Sequence, residues 1–518
     1  MRYGLNFFVV ALLGLGSAQS AESERKIAII GAGPAGSSAA YHLKNFASHA
    51  GVHINITLFE KTDRIGGRSL TVNAFNDPTQ RVELGASIFV QVNHILFASF
   101  AEFGLSPRTP GSDTEPVMGI WNGDRFVFTV DQRLPDWWNK LKVILKYGFM
   151  APKRTEDLTG ATISKFLQIY NAPFFPFTSL TQRVNELALD AATSTTGEKF
   201  LEANKIGNDF AGEVIQAAVR ANYVANLADI HGLDALVSLS TEGAMSVQGG
   251  NWQIFHEMAH RSGARILLNT TAVAVEKSQG KYTVKTSSGS TPGNPTAYPV
   301  EFDNVIIANP LQLSGMSVAE GVLQKHIETV NYANLHVTLF TSPRRFNPQF
   351  FGLPASQQAP GVILTTLAET DYANSEIDSV GKAGFFSLMS QGQAINPQTG
   401  KKEYIYKIFS PEAVTPEFLS RLLGGAVPAT FTGGNSPISW YHSHVFNALP
   451  KAVPRTSFQD HVVGQGVYYT SAIEPFISTM ETSALMGKNV ARLIIDDMMG
   501  TSSGGPVKVS EEQSVLGT

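Results

Sequence analysis

At 518 residues the chain exceeds what one ordinary hydrophobic core organises, so two or more domains are expected. A hydrophobic content of 43% against 16% charged residues excludes a disordered chain, and a formal net charge of −4 with no dense basic stretch excludes nucleic acid as a partner. The absence of cysteine excludes a disulfide scaffold, thiolate metal sites and a cysteinyl-linked cofactor, while leaving the redox compartment open.

The first element is a leader. Arg2 precedes a short apolar run from Leu5 to Leu15, and Ser17-Ala18-Gln19-Ser20 offers small residues for cleavage. Residues 1–20 are therefore expected to be a signal peptide that sends the chain into the secretory pathway, and the run is too short for a normal membrane span.

The stretch from Lys26 to Arg68 comes next and carries the strongest signal. An apolar run, Ile27-Ala28-Ile29-Ile30, leads into Gly31-Ala32-Gly33-Pro34-Ala35-Gly36, then a helical pattern, then a second strand from Ile54 to Phe59 that ends on Glu60. This is the order of a dinucleotide-binding unit. Gly31 allows the sharp turn, Gly33 lets backbone approach a pyrophosphate, and Gly36 lets helix pack on sheet. Pro34 and Ala35 lie at the helix N-terminus, whose free N–H groups and partial positive charge suit phosphates. Glu60 and its neighbour Lys61 stand where a ribose hydroxyl pair would lie. The run Lys61-Thr62-Asp63-Arg64-Ile65-Gly66-Gly67-Arg68 then adds an acid followed shortly by Gly-Gly-Arg. It resembles the second FAD motif of the flavin amine oxidase and glutathione reductase-like superfamily. Gly66 and Gly67 permit close approach, and Arg68 offers a guanidinium fork to a phosphate.

Further along, Val82-Glu83-Leu84-Gly85-Ala86-Ser87 is similar to the segment that passes beneath the flavin ring in that superfamily, where Gly85, Ala86 and Ser87 leave room for a flat ring. From Phe97 to about Ser240 helical patterns dominate. Within them Trp137, Trp138, Leu141, Ile144 and Leu145 share one side of a helix, with Asn139, Lys142 and Lys146 on another. Such a helix either faces the core or forms a lid or membrane-surface element beside an apolar pocket. Gly249-Gly250-Asn251-Trp252 opens another helix, and strand patterns follow at Ile266–Asn269, Ala272–Val275 and Val305–Ala308. In the superfamily the backbone near Val273 would meet the adenine. From Leu311 to Pro454 strands recur. His442 and His444 can share a strand face, but no third ligand accompanies them, so no metal site is expected. Finally, Gly466–Thr470 reads as a strand, and Ser478-Thr479-Met480-Glu481 has the spacing of a capping box opening the last helix.

Together these motifs resemble the prenylcysteine oxidase, or prenylcysteine lyase, family. The carriers beyond the FAD motifs are Val219-Arg220-Ala221-Asn222-Tyr223, Gly243-Ala244-Met245-Ser246, Val247-Gln248-Gly249-Gly250-Asn251 and Gly487-Lys488-Asn489-Val490-Ala491. The resemblance implies an α/β fold, with a Rossmann-type FAD-binding domain of the glutathione reductase kind and an interleaved α+β substrate domain. The FAD-binding parts would be 24–96, 241–310 and 455–498. The substrate domain would be 97–240, helical, and 311–454, and 499–518 would be a flexible tail. It implies noncovalent FAD, an isoprenoid thioether substrate and dioxygen, with possible peripheral membrane contact. It also implies a vacuolar, lysosomal or extracellular destination. The implied reaction oxidises the prenyl carbon bonded to sulfur, adds water, and releases prenyl aldehyde, cysteine and hydrogen peroxide. Trp137, Trp138, Leu141 and Tyr223 are the candidate substrate contacts, and no catalytic residue is named. Two rival readings remain. One is an amine oxidase with Trp440, Tyr468 and Tyr469 as an aromatic cage, and the other is a flavin-containing lipid carrier without activity. The sequons at Asn55 and Asn269 fall on predicted strands, which disfavours their full use.

Overall fold

The computed structural model describes residues 24–109, 116–288, 295–368 and 380–500. The expected leader and nearly all of the expected tail lie outside them. The apolar run at the start forms strand Arg25–Ile30, the centre of a six-stranded sheet. Its neighbours are Ile54–Phe59 on one side and Asn304–Ile307 on the other, both parallel, with Ile27 opposite Ile56 and Asn304. Arg265–Leu267 extends the sheet beyond Ile54–Phe59, and Val467–Tyr469 and Val462–Gly464 complete the opposite edge. Ile27 to Ile30 and Asn304 to Ile307 are buried throughout, which is why they read as unbroken apolar runs rather than alternating ones.

Helix Pro34–Ala50 follows the glycine turn and packs along the last helix, Met480–Met498, through Ala35, Ala39 and Gly487. Those small residues bring the two backbones close. A four-stranded sheet, Thr296–Phe302, Lys281–Ser288, Thr270–Ser278 and Ser317–Val318, stands beside this unit. Its ladder skips Val273 between the pairs Ala272–Thr286 and Ala274–Lys285, so Val273 is a bulge.

A seven-stranded sheet forms the second layer system, in the order Trp440–Pro450, Tyr332–Ser342, Lys402–Ser410, Ser387–Ile395, Val362–Thr365, Val117–Trp121, Phe126–Asp131. The last two strands correct the expectation of a helical 97–240. They form a hairpin, and Val117–Trp121 runs parallel to Val362–Thr365. Their signal is weak because turns and short length hide a five-residue strand among longer helices. The helices from Met150–Leu167 to Gly232–Val237 share an apolar core with the first sheet, and Gln216–Tyr223 also reaches the seven-stranded sheet through Ala217. No described helix is long and apolar enough to cross a membrane.

Candidate active site

The glycine turn and the Gly66-Gly67 loop are bonded to each other. Gly66 N–H donates to Ala32 O at 2.9 Å, and Gly31 N–H donates to Phe59 O at 2.8 Å. A Cβ on Gly36 would stand 1.9 Å from Gly31 O, so only glycine closes the turn against the helix. Gly33 is the N-cap of helix Pro34–Ala50, and no side chain caps it, leaving the first N–H groups of Ala35 and Gly36 for a ligand. The cradle therefore fits a pyrophosphate.

Glu60 is buried at the tip of its strand. Its Oε2 accepts from Ala32 N–H at 2.9 Å, and its Oε1 accepts from the N–H and hydroxyl of Thr62 at 2.9 and 2.8 Å. A carboxylate offers about four acceptor positions. Glu60 thus braces the glycine turn and keeps acceptor capacity to spare. Lys61 beside it is exposed.

Arg68 departs from expectation. Its Nη2 forms an ion pair with Glu474 Oε1 at 2.6 Å, because a carboxylate as buried as Glu474 requires a cation. Arg64, which sequence reasoning passed over, carries a buried donor that is open. Its Nη2 donates to Gly67 O at 3.0 Å, while its Nη1 is buried with no partner, as a phosphate contact would require.

The segment expected beneath the flavin is fixed from three sides. A Cβ on Gly85 would fall 1.8 Å from Arg68 O, so the two loops touch at backbone level. Asn251 is fully buried; its N–H donates to Glu83 Oε1 at 2.7 Å and its amide donates to Ala86 O at 3.2 Å. Lys407, also fully buried, donates from Nζ to Glu83 O and Ser87 Oγ at 3.0 Å each. Burial pushes the Glu83 carboxyl up and the Lys407 amine down, and their mutual attraction opposes both shifts. Lys407 had a visible signal, a lone lysine in the apolar strand Tyr404-Ile405-Tyr406-Lys407-Ile408-Phe409.

A cavity of about 230 Å³ opens from this segment. Ala86, Ser87 and Phe89 form one wall, Ile163, Phe166 and Leu167 another, and Ser478 and Thr479 at the start of the last helix a third. Tyr223 also lines it, with the buried Asp234 behind it. Burial raises the Asp234 carboxyl well above the usual range and raises the Tyr223 hydroxyl, so both groups are held neutral. The last helix is capped by Thr479 with Thr482, one residue on from the expected Ser478–Glu481 pair. Glu481 is withdrawn from that role because it accepts instead from the N–H groups of Ile95 and Leu96, at 2.9 and 3.0 Å.

A sequence profile described as prenylcysteine lyase matches residues 130–504. The chain belongs to the prenylcysteine lyase family. A second profile, described as an NAD(P)-binding Rossmann-like domain, matches residues 29–103. The chain is 26% identical to farnesylcysteine lyase of Arabidopsis thaliana over 499 residues, covering 93% of this chain and 90% of that one. It is 26% identical to prenylcysteine oxidase 1 of Homo sapiens over 491 residues, covering 90% and 88%. Among solved structures, a redesigned putrescine oxidase superposes with a TM-score of 0.56 at 15% identity, covering 92% of this chain and 99% of that one. Cyclohexylamine oxidase from Brevibacterium oxydans gives 0.55 at 16% identity, covering 92% and 100%. At such identities the likeness is one of fold alone.

In this prenylcysteine lyase family member the blocks that carried the resemblance have structural tasks. Arg220 is completely buried and donates to Thr365 Oγ1 at 2.9 Å, Asn226 Oδ1 at 3.0 Å and Val380 O at 2.8 Å, tying the helical layer to the large sheet. Asn489 binds both the N–H and the carbonyl of Phe177. Trp137, Trp138 and Leu141 do not line the cavity. Helix Asp136–Tyr147 buries none of its residues, which also overturns the core-facing alternative. Nor do Trp440, Tyr468 and Tyr469 form a cage; each packs into a different apolar cluster because the two tyrosines point to opposite faces of their strand. His442 stacks on Trp440, and among the described residues no three potential ligands gather around a metal position. Asn269 lies in an exposed left-handed turn (φ 51°) rather than on a strand, and Asn55 is exposed on its strand.

Proposed function

We propose that the protein is a FAD-dependent oxidase that cleaves S-prenylcysteine to a prenyl aldehyde, free cysteine and hydrogen peroxide. The observation that carries the reading is the largely apolar cavity between Ala86–Phe89 and helix Met150–Leu167, placed beside a dinucleotide cradle in a chain of this family. Bound FAD would supply a two-electron acceptor for oxidation of the carbon next to sulfur, with dioxygen as the final oxidant.

The chain's own residues do the rest. Ala35 and Gly36 N–H and Arg64 Nη1 hold the pyrophosphate, Glu60 the ribose, and the bulged backbone at Val273 the adenine. With no cysteine in the chain a cysteinyl link to flavin cannot form, and a cradle made of hydrogen-bond donors supports noncovalent binding. The N-terminus of helix Met480–Met498 opens at the cavity wall, and its positive end favours negative charge on the reduced ring. Phe89, Ile163, Phe166 and Leu167 receive the prenyl tail, which gains up to about 0.8 kcal/mol per buried CH₂. Binding is therefore dominated by the tail. The polar rim at Ser238, Ser240 and Ser478 admits the water that the cleavage consumes. The leader-like residues 1–20 support a route through the secretory pathway.

The test is anaerobic mixing with farnesylcysteine while following flavin absorbance. Farnesylcysteine bleaches the flavin, whereas cysteine and S-methylcysteine do not. Bleaching by simple amines but not by farnesylcysteine would replace this reading with an amine oxidase, and bleaching by none of them would leave a ligand carrier.

A further inference from the structure

Helix Asp136–Tyr147 is built with its apolar side outward. Its polar side is fastened to the hairpin beneath it. Lys142 Nζ donates to Thr129 O and Lys146 Nζ to Val127 O, both at 2.6 Å, and the Asn139 amide donates to Asp131 O at 3.0 Å. Tyr147 adds a bond from its hydroxyl to Glu213 at 2.6 Å. The opposite side carries Trp137 at 63% exposure, Leu145 at 76%, and Phe149, just past the helix, at 60%. Among the described residues, more than half of the large apolar side chains left exposed fall between Leu134 and Met150. A water-facing helix normally turns this face to the core, and a contiguous patch of this kind marks an interaction surface.

We propose that the Leu134–Met150 surface docks the protein peripherally on an anionic lipid bilayer. Three features select lipid. Trp137 and Trp138 stand edge to face, with ring centroids 5.5 Å apart, and tryptophan favours the headgroup boundary. Lys140 is exposed beside the apolar strip of helix Asp136–Tyr147 in a chain of net charge −4, while Lys142 and Lys146 are turned to the hairpin. That rim complements anionic headgroups. Helix Met150–Leu167 then runs from the patch to the cavity wall at Ile163–Leu167, a length of about 20 Å at the usual rise per residue. The docked face therefore lies one helix away from the cavity, a short path for a lipid-dissolved tail.

The test is flotation of the full, FAD-loaded chain with vesicles of phosphatidylcholine alone or with a minor share of phosphatidylserine. No prenylcysteine is added, so failure here leaves the oxidase reading untouched. The protein floats with the mixed vesicles, more weakly with neutral ones, and its tryptophan emission shifts to the blue. The Leu145→Ser/Phe149→Ser double variant partitions at least roughly tenfold less, given the apolar area two such side chains bury, while its melting temperature is unchanged. Should that variant fold poorly, Lys140→Glu alone removes the preference for phosphatidylserine, an effect that salt also abolishes. A wild-type protein that stays unbound on both vesicles overturns the proposal. So does a wild-type dimer in light scattering that the double variant dissolves without any flotation, since the surface would then serve a second copy.

Discussion

Glu60 has more to do than its position at a strand tip suggests. It accepts from Ala32 within the glycine turn as well as from Thr62, so it ties the tip of its strand to the glycine turn, and under the proposed reading it would join the ribose to the phosphate cradle. Glu60→Ala is expected to lose about 1.5–3 kcal/mol of FAD affinity, the range for hydrogen bonds to a charged group. Equilibrium dialysis of the refolded apoprotein measures this, and an unchanged dissociation constant removes the ribose role. Gly36→Ala is expected to give protein without bound flavin, because the new methyl group collides with Gly31 O. A yellow, normally stable Gly36→Ala protein would contradict that geometry. These residues were legible in the sequence because their partners lie within the same strand-turn-helix unit. The pairing of Arg68 with Glu474 was not. It depends on Glu474, 406 positions away, which no local pattern reveals.

At the scale of elements, periodicity marked the faces of helix Asp136–Tyr147 correctly but could not tell which face was inside. Lysine stems are long enough to reach the carbonyls of Val127 and Thr129, so a lysine face can sit against protein while tryptophans meet solvent. Trp138→Ala is accordingly expected to leave the KM for soluble farnesylcysteine unchanged. Leu167→Ala, on the cavity wall, is expected to weaken binding by up to about 1.5 kcal/mol, roughly tenfold in KM. The opposite ranking in steady-state assays would return the Trp137–Trp138 helix to the pocket. The last helix shows the same limit on a smaller scale. Its capping residues were displaced by one position because Glu481 finds two backbone donors on helix His94–Glu102, a contact decided by packing.

For the whole molecule, two fully buried histidines link stability to pH. Burial pulls His231 and His461 down to about 4, and contacts with the carbonyls of Pro475 and Phe177 oppose that only in part. A depressed folded-state value contributes stability that is complete above the ordinary histidine value and is lost as pH falls toward about 4. By pH 5 the loss is about 2 kcal/mol for each histidine. The buried carboxyls of Glu83 and Asp234, held up by burial, shift stability the opposite way over the same range, so the histidine share is read as a difference: the melting temperature of His461→Gln relative to wild type should rise as pH falls from 6.5 to 4.5, and a constant difference would refute the assignment. The return of the chain to the first sheet was readable from apolar runs such as Val305-Ile306-Ile307. The hairpin Val117–Trp121 and Phe126–Asp131 was not, since its partner strand lies at Val362–Thr365. That same return has a consequence for synthesis. Strand Arg25–Ile30 leaves the ribosome long before Asn304–Ile307, its partner on one side, and at about 5–20 residues per second the wait is on the order of tens of seconds. Helix Met480–Met498 arrives later still, so the nascent chain carries an unfinished sheet edge through most of translation. Under the proposed reading, flavin capture would come last and would report that biogenesis is complete.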